Sequence, residues 1–352
     1  MPLKIDAAGR TDVGLQREHN EDAFAVLDQH GLYIVADGMG GHRAGNVASK
    51  LAAESVQAFF DSTVREDATW PFHYDPTLSP EENRLLTSIK LANKTIFEEG
   101  ARNPERRGMG TTVVGALINP ATERVFVGHV GDSRCYRIRD GAIAQLTQDH
   151  SLINEYLRAM PDLPQSQRDE LPRNVITRAL GMNEVVVVDL LSDKIRPGDT
   201  FVLCSDGLSG MLTDGEILAT VQAHADAPDA ACEALIRLAN EHGGEDNITA
   251  LVVRAIDPAT RGNDAKPRTP GTEDTRPVLT PEAMRPTEAP PAVVNFDDVT
   301  LDMPREALMP REVDPDIGTR ETLSPPAPEE HPPASDEGED TVEAPPPFAP
   351  KR

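Results

Sequence analysis

The sequence has little that would staple a fold, carry it into a bilayer or draw it onto nucleic acid. Only three cysteines occur, Cys135, Cys204 and Cys232, widely spaced and without a CxxC pair. An odd, scattered set of this kind excludes a disulfide framework and reads as reduced thiols. The N-terminal stretch MPLKIDAAGR lacks the apolar segment of a signal peptide. No run approaches the roughly 18 apolar residues of a membrane span. Basic residues are outnumbered, 34 against 59 acidic, for a formal net charge of −25. Such a balance excludes general nucleic-acid binding and docking on an anionic membrane surface. The expectation is a soluble, cytoplasmic protein with no nucleic-acid partner and no membrane span. Aromatic residues are few, 4%, yet the 38% apolar share can supply a sizeable core.

What is present divides the 352 residues in two. From Pro258 to Arg352 the chain holds 20 of its 31 prolines, with 20 acidic and 10 basic residues. A segment of that composition cannot bury enough surface to offset its ordering entropy, so 258–352 reads as a disordered Pro/acidic-rich tail. Its apolar islands AVVNF and VTLDM, and its threonines among acidic residues and prolines, make it a candidate for recruiting partners or being phosphorylated. Residues 1–257 read as one folded domain.

Within that domain, runs rich in β-branched residues and bounded by Gly, Asp and Asn predict strands: GLYIVA, TTVVGALI, ERVFVGHV, RCYRIRD, VVVVDL, TFVLCS and NITALVVRA. The few turn-like residues between ERVFVGHV and RCYRIRD predict a hairpin. Helical spacing places Leu85, Ile89, Ala92 and Ile96 on one face of 83–99, and similar patterns mark AGNVASKLAAESVQAFF and 228–241. The helices cluster instead of following every strand, which predicts an α+β layered domain and not a regular βαβ array. The 61–83 stretch, with the only tryptophan, has no assignable role beyond an ordered loop or a partner surface.

Carboxylates recur at predicted strand ends. NED at 20–22, VADG at 35–38, HVGDS at 129–133 and LCSDG at 203–207 each set an acidic residue beside glycine or asparagine or next to a strand, and GGEDN at 243–247 precedes the last strand. A single Asp-Gly most often just reverses the chain. Five such segments are harder to dismiss. In LYIVADG and TFVLCSDG the aspartate follows an apolar run directly, which puts it at the rim of the core. Carboxylates massed there repel one another unless a cation compensates. Oxygen donors suit Mg²⁺ or Mn²⁺, whereas the scattered histidines and thiols disfavour zinc. Asp37 reads as a residue that bridges metals, with small neighbours that leave room for water.

These stretches, with TDVGLQREHNEDAF, VADGMGGHRAGNVAS, MGTT, GHVGDSRCYRIRDG, QLTQDHS, RNVITRALG, LCSDGLSGML and EDNIT, occur in an order that resembles the bacterial PPM or type-2C family of metal-dependent serine/threonine protein phosphatases. The resemblance spans about residues 11–250. It implies a four-layer α-β-β-α sandwich, two antiparallel sheets flanked by helices, with a metal centre at one end. It implies two Mn²⁺ or Mg²⁺ ions per active site and a third, weaker site. Asp37 would bridge the pair and Asp206 and Asp246 would complete the first site. The Gly38 carbonyl would serve the second, with Glu21 acting through water. Asp132 with Asp206 would hold the third ion. Asp22 would orient a water, Arg17 would clamp the phosphoryl oxygens, and Asn247 would support the ligands.

The reaction so implied is hydrolysis of phosphoserine and phosphothreonine in proteins by a water that two metals activate, reversing bacterial Ser/Thr kinase signalling. Phosphorylated proteins, including the kinases, would be the partners. No Cys-x5-Arg loop occurs, and no phospho-enzyme is expected. The eukaryotic members have histidine directly after the DG pair, where this chain has Met39. His42 is a candidate general acid, or a supporting residue at the start of the following helix, and the second reading is favoured. Residues 151–177 resemble the family's flap beside the active site. Arg178 is open between facing the site and a structural ion pair, and MGTT reads as packing, with Gly110 allowing close backbone approach. Two alternatives stay open: a partner-switching phosphatase for an anti-sigma antagonist, and a catalytically inactive phosphoprotein-binding scaffold. The presence of Asp37, Asp206 and Asp246 favours an active enzyme.

Overall fold

The computed structural model describes residues 3–40, 44–63, 72, 74–164, 167–168, 171–172 and 175–257. The expectations for His42, for the tryptophan and for the 258–352 tail lie outside the described residues.

Two antiparallel sheets stack face to face. One has the order β1 (Lys4–Asp12), β11 (Ile248–Ile256), β10 (Thr200–Cys204), β7 (Arg134–Arg139) and β8 (Ala142–Gln145). The other runs β2 (Asp22–Leu27), β3 (Leu32–Met39), β5 (Val113–Asn119), β6 (Arg124–Val130) and β9 (Asp189–Lys194). A two-residue strand, β4 (Gly110–Thr111), pairs with the end of β3.

Alternation along the strands explains the layers. Tyr33 and Val35 of β3 point between the sheets, where they meet Phe201, Leu203, Leu251 and Val253. Leu32, Ile34 and Ala36 point the other way, under α1 (Ala44–Ser62) and α2 (Pro80–Arg102). On the opposite side Val202, Ala250 and Val252 pack beneath α5 (Asp214–Ala223) and α6 (Pro228–Glu241). The result is the α-β-β-α sandwich.

Helix α2 shows how local sequence and packing agree. Ser79 caps it: the hydroxyl accepts the Glu82 N–H while the Glu82 carboxylate accepts the Ser79 N–H, and Pro80 occupies the first turn. Leu85, Ile89, Ala92 and Ile96 are all buried against the sheet, as their spacing predicts. Each of the three larger side chains contributes about 1.5–3 kcal/mol on burial.

Two expectations are corrected. The predicted hairpin does not form: β6 bonds to β5 and β9, whereas β7 bonds to β10 and β8. The turn at 131–133 instead crosses from one sheet to the other, which carries Asp132 to the end of the sandwich. The valine run is also misread. Strand β9 begins only at Asp189, where the register with His129 of β6 starts, while Val185 and Val187 are exposed. High β-propensity without a neighbouring strand to pair with does not make a strand.

Candidate metal centre

Strand ends from both sheets meet at one edge of the sandwich. Asp22 opens β2 and pairs in register with Asp37 of β3. Asp206 begins α4 (Asp206–Ser209), the short turn of helix after β10, and Asp246 lies just before β11. A cavity of about 400 Å³ is lined by Arg17, Glu21, Asp37, Gly38, Asp206 and Asp246, among others. Asp132 lines a neighbouring cavity of about 720 Å³, and Asp206 stands in the wall of both. Every carboxylate singled out in the sequence therefore comes to this end.

The electrostatics are strained in the way buried like charges demand. Burial, then the negative charges of Asp22 and Asp206, hold the Asp37 carboxyl well above the usual range. Burial also raises Asp206, against a hydrogen bond with Asp37 that works the other way. Asp22 is pushed up to about 7, by burial first, although the Thr249 hydroxyl donates to its Oδ2 at 2.6 Å. Asp132 is likewise pushed up to about 7 by burial and by Asp206. One carboxylate oxygen each of Asp22, Asp132 and Asp206 is buried without a hydrogen-bond partner. Orphaned oxygens in an all-oxygen donor set fit hard divalent cations.

Local contacts hold the groups in place. The Thr112 hydroxyl accepts the Asp37 N–H at 3.1 Å, and the Asp37 carbonyl accepts the Thr112 N–H and the Thr111 hydroxyl, both at 2.8 Å. Asn247 binds the opposite loop: its Oδ1 accepts the Glu21 N–H, and its Nδ2 donates to the Val13 and His19 carbonyls. Helix α1 starts hard against the end of β3. A Cβ on Gly38 would lie 2.2 Å from the Gly45 carbonyl oxygen, and one on Gly45 would lie 2.7 Å from the Gly38 carbonyl carbon. Only a glycine pair permits that approach.

Arg17 reaches the site from the rim, where its guanidinium donates to the Asp246 carboxylate at 2.7 Å while staying about half exposed. Arg178 does not face the cavity through a free guanidinium; it donates to Asp189 at 2.8 Å. The 151–177 segment, which opens with α3 (Leu152–Ala159), closes at its base through a bridge between Ser151 and Ile176, and Ile176 lines the 400 Å³ cavity. The three cysteines are buried, and burial pushes Cys204 and Cys232 up to about 12, so neither is a ready nucleophile.

The sequence does not point to Thr111, Thr112, Ser133, Ser205 or Thr249 as parts of the site. Hydroxyls are too common for their partners to be read from composition. The TT of MGTT, at the head of the predicted strand TTVVGALI, is the one available signal, and it reads only as packing. The histidines also look scattered, yet His129 stacks on His150 with ring centroids 4.7 Å apart, and Asp189 lies beside them.

Comparison with known proteins gives concordant matches. Residues 15–246 match the family model described as protein phosphatase 2C. The serine/threonine phosphatase stp of Listeria monocytogenes serotype 4b is 36% identical over 269 residues, covering 74% of this chain and all of that protein. The crystal structure of the Mycobacterium tuberculosis serine/threonine phosphatase PstP/Ppp superposes with a TM-score of 0.62 at 31% identity, covering 72% of this chain and 100% of that one. A structure of the catalytic domain of PstP in complex with two manganese ions gives a TM-score of 0.61, also at 31% identity and the same coverage.

Proposed function

The chain belongs to the protein phosphatase 2C family, and on that premise we propose how its strand-end carboxylates act. The protein is a metal-dependent protein serine/threonine phosphatase whose substrates are phosphorylated proteins. Two divalent ions, Mn²⁺ or Mg²⁺, would be held by Asp37, Asp206, Asp246 and the Gly38 carbonyl, with Glu21 acting through water. Asp132 and Asp206 would hold a third, weaker ion. The observation that carries this reading is the set of buried, unpartnered oxygens on Asp22, Asp132 and Asp206, three carboxyls that burial holds above the usual range.

When bound, the ions supply an activated water and stabilise the charge that develops on the phosphoryl group. The protein's own groups do the rest. Asp22, fixed by Thr249, orients water near Asp37. Arg17 leaves Asp246 to grip the phosphoryl oxygens through its planar donor pair. Thr111 and Thr112 keep the Asp37 backbone from shifting, and Asn247 does the same for Glu21. Ile176 brings the 151–177 segment against the substrate.

Residues 1–257 are the catalytic domain, and 258–352 act as a tail that recruits partners. The activity opposes bacterial Ser/Thr kinases in the cytoplasm. No helix among the described residues is long and apolar enough to cross a membrane. The test is turnover of p-nitrophenyl phosphate and of a phosphothreonine peptide by the full chain. Added Mn²⁺ or Mg²⁺ is expected to be required, with EDTA abolishing the activity and fresh metal restoring it. A folded chain that hydrolyses neither substrate with any divalent ion overturns the reading.

A further inference from the structure

Outside the acidic cluster, one group of chemistry-bearing side chains stands out, and it sits where the 151–177 segment leaves and rejoins the fold. His150 precedes the segment and Arg178 follows it. Both reach Asp189, the first residue of β9: His150 Nε2 lies 3.3 Å from one carboxylate oxygen, and Arg178 Nη1 lies 2.8 Å from the other. The backbone joins the same two ends, because the Thr177 N–H donates to the His150 carbonyl at 2.8 Å and the Leu152 N–H to the Val175 carbonyl at 2.9 Å.

His150 also grips the residue before Asp132. Its Nδ1 accepts the Gly131 N–H at 3.0 Å, and the His150 backbone N–H donates to the Gly131 carbonyl at 2.9 Å. Gly131 has little freedom to yield. Its φ of +107° is one that glycine alone adopts readily, and a Cβ there would lie 2.6 Å from Thr112. Thr112 in turn bonds Ser133 and the Asp37 backbone. A short physical chain thus runs from Asp189 through His150 and Gly131 to Asp132.

His129, His150 and Asp189 are close enough to suggest a metal site. The hydrogen bonds argue otherwise. An Nδ1 that accepts from a backbone N–H must carry a lone pair, so the neutral His150 ring has its proton on Nε2, facing Asp189. A protonated nitrogen does not ligate, and this one approaches the Asp189 carboxylate to 3.3 Å without hydrogen-bond geometry. The stacked His129, whose Nε2 bonds the Gln148 carbonyl, backs the His150 ring.

We propose that Asp189, with His150 and Arg178, is a positioning clasp that ties both ends of the 151–177 segment to the turn carrying Asp132, so that the base of the segment sets where that carboxylate stands. The role assigned to Asp132 rests on the reading above; the mechanical coupling does not. Asp189 never touches substrate and acts through its two neighbours.

The test is backbone amide exchange on the full chain, followed in two windows: the segment base, at Leu152 and Thr177, and the turn, at Gly131. Asp189→Ala and Asp189→Asn are both used. The Asp189 side chain is 40% exposed on an edge strand, so at least one is expected to fold, as far-UV circular dichroism will report. Both windows are expected to exchange on the order of tenfold faster than in the unaltered chain. His150→Ala should do the same. His150→Asn, whose Oδ1 replaces the Nδ1 acceptor, should restore slow exchange at Gly131 while leaving the base fast. In Mn²⁺ titrations of p-nitrophenyl phosphate turnover, Asp189→Asn should need several-fold more metal for half-maximal rate at an unchanged KM. If the folded Asp189 variants loosen the base but leave Gly131 slow, or if His150→Asn exchanges at Gly131 as fast as His150→Ala, the clasp is overturned. An unaltered chain with no phosphatase activity would refute the role of Asp132 alone, because the exchange result needs no turnover.

Discussion

Asp22 and Asp37 face each other across a β ladder, and like charges so placed destabilise a sheet. Nature's tolerance of that pair implies a counter-charge, and three expectations follow from it at the scale of single residues. Asp206→Asn should lower turnover by about a hundredfold or more. In EDTA, the same variant should melt no lower than the unaltered chain, since it removes a buried repulsion; a large drop in melting temperature would mean that Asp206 serves the fold. The pH dependence has a definite sign. Burial pushes Asp22 and Asp132 up to about 7 in the folded chain, above the roughly 3.9 of a free aspartate. Between those values the folded, metal-free chain holds more protons than the unfolded one, so its stability is full below about 4 and is lost as pH rises through about 7. Thermal melts in EDTA across that window should show the decline, and Mn²⁺ should remove it. Arg17→Ala should raise KM for a phosphoester by about tenfold or more, with a smaller change in kcat, because a charged hydrogen-bond pair to the phosphoryl group is lost. The aspartates were legible because each ends or borders an apolar run. Thr112 and Thr249 were not, because a hydroxyl's partner on another strand leaves no local pattern.

At the scale of elements, the approach of α1 to β3 is the contact most directly tied to the site. Gly45→Ala forces a Cβ into the Gly38 carbonyl and toward Glu21, whose Oε2 would lie 2.8 Å away. The Mn²⁺ concentration for half-maximal activity should rise, with a modest fall in melting temperature; wild-type values for both would mean that the helix moves aside without cost. The helices over 44–62, 80–102 and 228–241 announced themselves through apolar spacing, because a helix that covers a sheet must present one continuous stripe. The strands were legible where both faces are buried, as in β3, β10 and β11. Strand β1 reads KIDAAGRTD, with a single β-branched apolar residue, and owes its form to full-length pairing with β11. The β6–β7 turn misled for a related reason. A short polar link is compatible with a hairpin or with a step between stacked sheets, and only the neighbours on either side decide.

For the whole molecule, the proposed division at residue 257 has a simple consequence. A chain ending there should turn over p-nitrophenyl phosphate within about twofold of the full chain and keep its melting temperature, since a domain with its own core folds alone. A collapse of either value would place part of the catalytic unit beyond 257. Loss of rate on a phosphoprotein alone would locate the tail's role in partner recruitment.

Composition, motif order and apolar periodicity were enough to determine the family and the layered α+β architecture, and to single out the carboxylates that the fold gathers at one end. These are properties of residue identity and short-range spacing. Tertiary structure alone decided that the 131–133 turn crosses between sheets, that two threonines pin Asp37, and that His150 and Arg178 converge on Asp189. Each of those depends on which distant strands pair and in what register, and pairing is settled by the packing of the whole core, not by any stretch of the chain taken alone.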